Sequence, residues 1–250
     1  MLKFFRKIRQ QMISDNKVVK YILYAIGEIF LVVVGILIAF QLDNWNTERQ
    51  GQNRKTALLH SLKNEFTQNL NQLADVLHYD SLVVVSSYEA YNLSTDDSLI
   101  SNKKYMDELL QNTSWTWTFD AQNGALRSGI SSGDINYIKN DTLLNYLFSW
   151  QDVVLDAKEN EVYALNTRLN AYRIMEKYVR YTSFRSADRK DFHGSKFPSD
   201  YKGLFNDPLF EDYITERYNN MLEAVEELNI VRDLNINILR LIDKELEKNE

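Results

Sequence analysis

The sequence predicts an all-α protein: an N-terminal amphipathic helix and a transmembrane helix, followed by an antiparallel helical bundle with one long loop. Three observations predict it. Among 250 residues there are only eight glycines and two prolines, which favours long helices over turn-rich architectures. One wholly apolar run lies near the start. Beyond it, three long stretches place apolar residues every three or four positions, and none alternates for long enough to build a sheet. The absence of cysteine excludes disulfides, thiolate metal sites and Cys nucleophiles together. The net charge of -6 is unevenly spread. Residues 1–20 carry Lys3, Arg6, Lys7, Arg9, Lys17 and Lys20 against Asp15 alone, so the tail is basic and the body acidic. That asymmetry points to anionic lipid at one end and away from nucleic acid.

Residues 1–20 form the first element. On a helical wheel Phe4, Phe5, Ile8 and Met12 share one face and Lys3, Arg6 and Lys7 lie opposite, the pattern of a helix lying in a membrane interface. Lys3, Arg6, Lys7 and Arg9 are its candidate lipid-surface contacts; the alternative is a plain topology signal. Residues 21–42, YILYAIGEIFLVVVGILIAFQL, would make a helix of roughly 33 Å against a hydrocarbon core of about 30 Å. Tyr21, Tyr24 and Trp45 flank the run as interfacial aromatics. No small-residue cleavage site follows it. The excess of basic residues before the span predicts a cytoplasmic N-terminus and an exported domain over 43–250, which in a bacterium is inner-membrane anchorage with a periplasmic body.

Within the span, Gly27, Leu31, Gly35 and Ala39 recur every four residues, so small side chains line one face and permit close helix pairing. Glu28 projects to the same side. A carboxyl in hydrocarbon is costly unless it is protonated, paired or turned to a partner or water. These five residues are the candidate helix–helix association site. The bland reading of Glu28 is a tolerated carboxyl near the interface.

Two segments resemble a known family. LKFFRKIRQ followed by NKVVKYILYAIGEIFLVVVGILIAFQLDNWN, within residues 2–46, is similar to the N-terminal signature of an uncharacterised family of small bacterial single-pass envelope proteins. LRSGISSGDINYIKNDTLLNYL, residues 126–147, resembles that family's interior helix junction. The resemblance implies topology and a bacterial envelope, and it carries over no activity and no catalytic residue.

In the body, Leu59, Leu62, Phe66, Leu70, Leu73 and Leu77 form the stripe of a first long helix, which can continue the span. Residues 80–92 extend it or begin another helix. Ser94–Ser101 reads as a turn and Lys103–Leu110 as a short helix. Trp115, Trp117 and Phe119 alternate with threonines, suggesting a short extended segment with one buried face, used for packing or as an aromatic platform for sugar or peptide. A short helix from about Ala121 is closed by Gly133. Asn140 or Asp141 caps a second long helix with the stripe Leu144, Leu147, Val154, Val162, Leu165, Leu169 and Tyr172. Asp207-Pro208 opens the last, whose stripe is Ile214, Tyr218, Met221, Val225, Leu228, Val231, Leu234, Ile238 and Leu241.

The connection 179–206 is long and interleaves Arg180, Arg185, Arg189, Lys190, His193 and Lys196 with Tyr181, Phe184, Phe192, Phe197 and Tyr201. Long loops are often functional, and Arg185, Arg189, Lys190 and Phe192 are candidate contacts for an anionic ligand or partner. The alternative is that the aromatics pack over the bundle end. His60, His78 and His193 show no metal-ligand spacing, and no phosphate loop, dinucleotide fingerprint or nucleophile elbow occurs. No cofactor, metal or catalytic residue is therefore assigned. Asp80-Ser81-Leu82, Asp97-Ser98-Leu99 and Asp141-Thr142-Leu143 resemble an O-glycosylation acceptor pattern of some bacterial periplasms and read equally as helix caps or turns.

The sequence thus favours a non-enzymatic envelope protein that touches membrane lipid and acts through a membrane-protein partner or as a homo-oligomer. A periplasmic sensory or ligand-binding domain signalling through a second protein is the next reading. An oligomeric ion or proton path lined by Glu28 is the third.

Overall fold

The computed structural model describes residues 18–93, 97–185 and 195–248. The basic tail with Lys3, Arg6, Lys7 and Arg9, and the loop residues Arg189, Lys190 and Phe192, lie outside them. The described residues form helices and connecting segments with no strand among them: α1 (Val18–Leu93), α2 (Asp97–Ile100), α3 (Lys103–Thr113), α4 (Gly124–Ser132), a 3-10 turn (Asp134–Tyr137), α5 (Asp141–Met175), α6 (Tyr181–Arg185), α7 (Tyr201–Phe205) and α8 (Pro208–Glu247). The chain divides into two compact units, Met1–Lys55 and Thr56–Glu250.

In the first unit the apolar run is helical throughout and is the one stretch, among the described residues, long and apolar enough to cross a membrane. Most of its side chains are uncovered among the described residues. Leu23, Ile29, Phe30, Leu31, Ile36 and Phe40 are all more than half exposed. Trp45 is exposed too, with the Arg49 guanidinium over its ring. The helix does not break at Gly51, nor near position 80, so residues 80–92 extend α1.

The second unit is built on α1, α5 and α8. Its long helices are amphipathic with a buried position alternately three and four residues on, the spacing that keeps one seam facing its neighbours. In α1 the buried series runs Leu59, Leu62, Phe66, Asn69, Leu73, Val76, Asp80, Val83, Ser87 and Ala90. In α8 it runs Arg217, Met221, Ala224, Leu228, Val231, Asn235, Ile238, Ile242 and Glu245. Helix α8 lies antiparallel to both partners. Asn140 at the start of α5 donates to Glu245 near the end of α8, and Lys63 of α1 pairs with Asp243. By contrast α1 and α5 run the same way, since Phe66 packs on Trp150 while Val83, further along, shares a cluster with Ala164. The segments between Asp97 and Asn140 return the chain for this parallel step.

Two large apolar cores result, with a smaller cluster of Val83, Ala164, Met221 and Ala224. One joins Leu59, Leu62, Phe66, Leu73, Leu143, Leu147, Trp150, Leu228, Val231 and Ile238. The other joins Ala90, Met106, Leu110, Met175, Phe184, Leu204, Phe210 and Ile214 at the opposite end. Each fully buried large side chain contributes on the order of 2 kcal/mol, so these clusters hold the unit together.

The caps agree with the sequence. Gly133 closes α4 at φ 76, a left-handed conformation that costs glycine little. Asn140 accepts from the Leu143 N–H, and Asp207 accepts from the Leu209 N–H ahead of Pro208 at the first turn. Other expectations need correction. The stretch 94–101 is not simply a turn, because Asp97–Ile100 is helical. The helix expected from about Ala121 begins at Gly124, and α3 runs on to Thr113.

The predicted face of α5 is displaced as well. Val162 and Leu169 are exposed and Leu144, Val154, Leu165 and Tyr172 only half-buried, while Leu143, Leu147, Trp150, Ala157, Glu161, Ala164, Ala171 and Met175 are buried. The alanines at seven-residue intervals let neighbouring backbone approach closely, and the larger side chains are turned outward. In α8, Tyr218, Val225, Leu234 and Leu241 flank the seam instead of filling it. The connection 179–206 contains helices α6 and α7, because Phe184, Tyr201, Leu204 and Phe205 pack into the second core. Its aromatics are thus used in packing where they are described.

Candidate functional site

The predicted association face is open. Gly27, Leu31, Gly35 and Ala39 are exposed and Glu28 is half-buried. A Cβ added at Gly27 or Gly35 would meet nothing within 4 Å among the described residues, so the helix backbone is uncovered at both positions. Of the predicted loop site, only Arg185 falls among the described residues, where its backbone ends α6.

A cleft of about 710 Å³ does open nearby, lined by Ile100, Ser101, Lys103, Phe197, Lys202 and their neighbours. Its cations are largely answered. Lys103 is paired with Asp107, which also accepts from the Tyr201 hydroxyl, and Asp200 sits in the wall capping α7. The Lys196 ammonium lies over the Phe197 ring. The cleft therefore has no strong excess of either sign.

The most unusual chemistry lies inside the bundle. Residues 115–123 are not helical, yet they run against the three long helices, where backbone N–H and C=O groups must find partners. Buried side chains supply them. Arg217 of α8, fully buried, donates through Nε to the Thr113 carbonyl at 3.1 Å and through Nη1 to the Ala164 carbonyl at 2.6 Å. Its Nη2 donates to the Trp115 carbonyl and to the Thr116 hydroxyl. Asp80 of α1, 1% exposed, accepts from the Trp117 N–H at 3.1 Å. Glu161 of α5 accepts from the Phe119 N–H at 2.7 Å and pairs with Lys158 at 3.4 Å.

Further along, Asn69 makes a reciprocal pair with Gln122, donating to its carbonyl at 2.9 Å and accepting from its N–H at 2.8 Å. Glu65 then accepts from the N–H groups of Ala125 and Leu126 at 2.6 and 3.1 Å, capping α4 from sixty positions away. The local capping residue Asn123 is occupied elsewhere, accepting from the Trp150 indole N–H at 2.8 Å.

The segment itself departs from simple alternation. Phe119 is buried and Trp115 half-buried, but Trp117 is 40% exposed and stacks on Tyr79 with centroids 4.5 Å apart. One face of each ring is thus taken by the other. Burial shifts three of the charged groups. It raises the Asp80 carboxyl to about 7, against the lowering effect of the Trp117 N–H and Arg217. It raises Glu161 as well, against the Phe119 N–H and Lys158, and it lowers Arg217.

Sequence reasoning missed Glu65, Asn69, Asp80, Glu161 and Arg217 as a set. The available signal was phase: Asn69 and Asp80 continue the series Leu59, Leu62, Phe66 at steps of three and four, as Arg217 does ahead of Met221. Asp80, read as a possible helix cap or turn, is neither; it lies deep within α1 with its carboxyl buried. Among the described residues no three His, Cys, Asp or Glu side chains are grouped to hold a metal ion.

A family model described as a family of unknown function, DUF6090, matches residues 28–164. The match covers more than half of the chain, which belongs to that family. Glu65, Asn69, Asp80 and Glu161 lie within the matched range and Arg217 beyond it. No curated protein and no solved structure matches.

Proposed function

We propose that this member of the DUF6090 family is a membrane-anchored, non-enzymatic envelope protein that acts by binding a protein partner or a second copy of itself. The observation that carries the reading is the uncovered apolar helix. From Ile22 to Leu42 its large side chains stand about half to two-thirds exposed, a continuous apolar surface that a soluble monomer does not present. A bilayer covers it, and the basic residues ahead of it hold the N-terminus in the cytoplasm, leaving the bundle in the periplasm. Gly27, Leu31, Gly35 and Ala39 then offer the face on which a second helix packs, with Glu28 beside it. The non-enzymatic part of the reading is supported by the buried polar side chains. Arg217, Asp80, Asn69 and Glu65 are each bonded to backbone groups of this same chain.

The chain lacks cysteine, so single cysteines report contacts cleanly. In native membranes Gly35→Cys should form disulfide-linked dimers on mild oxidation while Leu37→Cys, on the other side of the helix, should not. Equal yields at the two positions would end the self-association reading and leave a distinct protein partner to be found by co-purification. Glu28→Gln and Glu28→Leu, introduced beside Gly35→Cys, test the carboxyl; an unchanged yield in both removes it from the interface. A reporter enzyme fused after Glu250 should read as exported, and a cytoplasmic signal would overturn the anchoring itself.

A further inference from the structure

We propose that Asp80, Arg217 and Glu161 form a proton-operated latch, holding the segment from Thr113 to Phe119 tightly to the bundle while Asp80 is protonated and loosening it when the proton leaves. The inference goes beyond the anchoring role and does not depend on it.

The geometry puts Asp80 in an unusual position. Asp80 is 1% exposed, and its carboxyl accepts from a neutral donor, the Trp117 N–H. The nearest cation, Arg217, is fully buried but directs Nε, Nη1 and Nη2 at three carbonyls and a hydroxyl. It therefore acts on Asp80 only through space. Facing Asp80 from α5 is a second buried carboxyl, Glu161, whose charge is met by Lys158, itself shared with the exposed Asp120. Tyr213 lies one turn from Arg217 on α8 and is also buried. A carboxylate so enclosed, with no bonded cation and another carboxylate nearby, holds its proton far above the range of a free aspartate. Burial accordingly lifts Asp80 from 3.8 to about 7.

The direction of the effect follows from proton binding. Between 3.8, the value in the unfolded chain, and about 7, the folded protein holds a proton on Asp80 that the unfolded chain has released. Stability therefore falls as pH rises through that window, and the deficit is complete above it. The place where the deficit acts is fixed by the contacts. Asp80 anchors Trp117, between the carbonyls held by Arg217 and the Phe119 N–H held by Glu161. The charged form leaves a carboxylate beneath this segment whose desolvation outweighs the Trp117 N–H and the Arg217 charge, and this is relieved when Trp117 lifts and water enters. Trp117 already stacks at the surface on Tyr79, so its own lifting can leave Phe119 seated against Trp150 in the first core.

The test uses the full-length protein in detergent micelles. Hydrogen exchange at the Trp117 amide, corrected for its intrinsic pH dependence, should rise at least tenfold between pH 6 and pH 8, while the Leu228 and Ile238 amides stay protected. Equilibrium unfolding should show higher stability at pH 5.5 than at pH 8. In Asp80→Asn, which keeps an oxygen acceptor for the Trp117 N–H, both dependences should be largely lost, leaving only what the raised Glu161 carboxyl contributes; in Glu161→Gln most of the unfolding slope should persist. Flat or rising wild-type stability across this range overturns the latch. So does an Asp80→Asn protein that retains the slope, or a Glu161→Gln protein that loses it. If Asp80→Asn does not fold, carbon-13 NMR of the Asp80 carboxyl in the wild type decides instead: a midpoint near neutrality supports the latch, and one below pH 5 refutes it.

Discussion

Replacing Glu65 by glutamine tests whether a helix can depend on a cap supplied from a distant part of the chain. The two side chains are nearly isosteric, so packing is preserved. The carboxylate, 7% exposed, presents one oxygen to the Ala125 N–H at 2.6 Å and the other to the Leu126 N–H at 3.1 Å. Both are first-turn donors of α4 with no partner inside that helix. An amide has one acceptor oxygen, so Glu65→Gln sets an NH2 donor against one of these N–H groups. The loss is one hydrogen bond to a charged acceptor plus a favourable charge at a helix N-terminus. Together these amount to about 2–4 kcal/mol. In a domain of this size that is a fall in melting temperature of about 4–16 °C. Thermal unfolding in detergent, followed by far-UV circular dichroism, measures it, and hydrogen exchange should show faster opening of α4 than of α5. A loss below about 0.5 kcal/mol, the level of an ordinary surface substitution, would refute the assignment of Glu65 as the cap.

Two further substitutions probe single features of the same fold. Asn235 is fully buried in the α8 seam and neither its Nδ2 nor its Oδ1 has a hydrogen-bond partner among the described residues; Asn235→Leu should therefore raise stability by about 1–3 kcal/mol in urea unfolding, and a comparable loss would mean the amide holds a water. Gly133→Ala adds a Cβ whose nearest neighbour, Asn136, is at an ordinary contact distance; the cost of about 1–2 kcal/mol comes from the left-handed backbone alone, and Gly133→Asn should lose less of the melting temperature.

The features legible in the sequence were the local ones. Gly133, Asn140 and Asp207-Pro208 were found because a cap is decided by residues within one turn of it. The apolar helix was found because a run of that length and composition has few other uses. What escaped was decided by partners far along the chain. The face of α5 could not be read from its largest side chains, since burial there goes to Ala157, Ala164 and Ala171, where backbone comes close. Asp80, Glu161 and Arg217 escaped as partners of one segment, because the groups they bind there lie 37, 42 and about a hundred positions away. Their place in the three-four series was a usable sign, provided the series is followed through polar residues as well as apolar ones.

The polar layer also explains why this interior contains charges at all. A buried ion pair between helices is often no better than a well-packed apolar pair of similar volume, so charge alone is not a reason for its presence. Here most of the partners are backbone groups of a non-helical segment passing between helices. A peptide group buried without a partner costs about 1–3 kcal/mol, and an apolar side chain offers nothing to it. Thr113, Trp115, Trp117, Phe119 and Gln122 each bring at least one such group inward, and Arg217, Asp80, Glu161 and Asn69 meet them in turn. The side chains that do so must reach from rigid helices and carry several donors or acceptors, which selects Arg, Asp, Glu and Asn. Threading an irregular segment along the bundle thus requires a charged interior, and a charged interior carries at Asp80 a group whose proton is held near neutral pH.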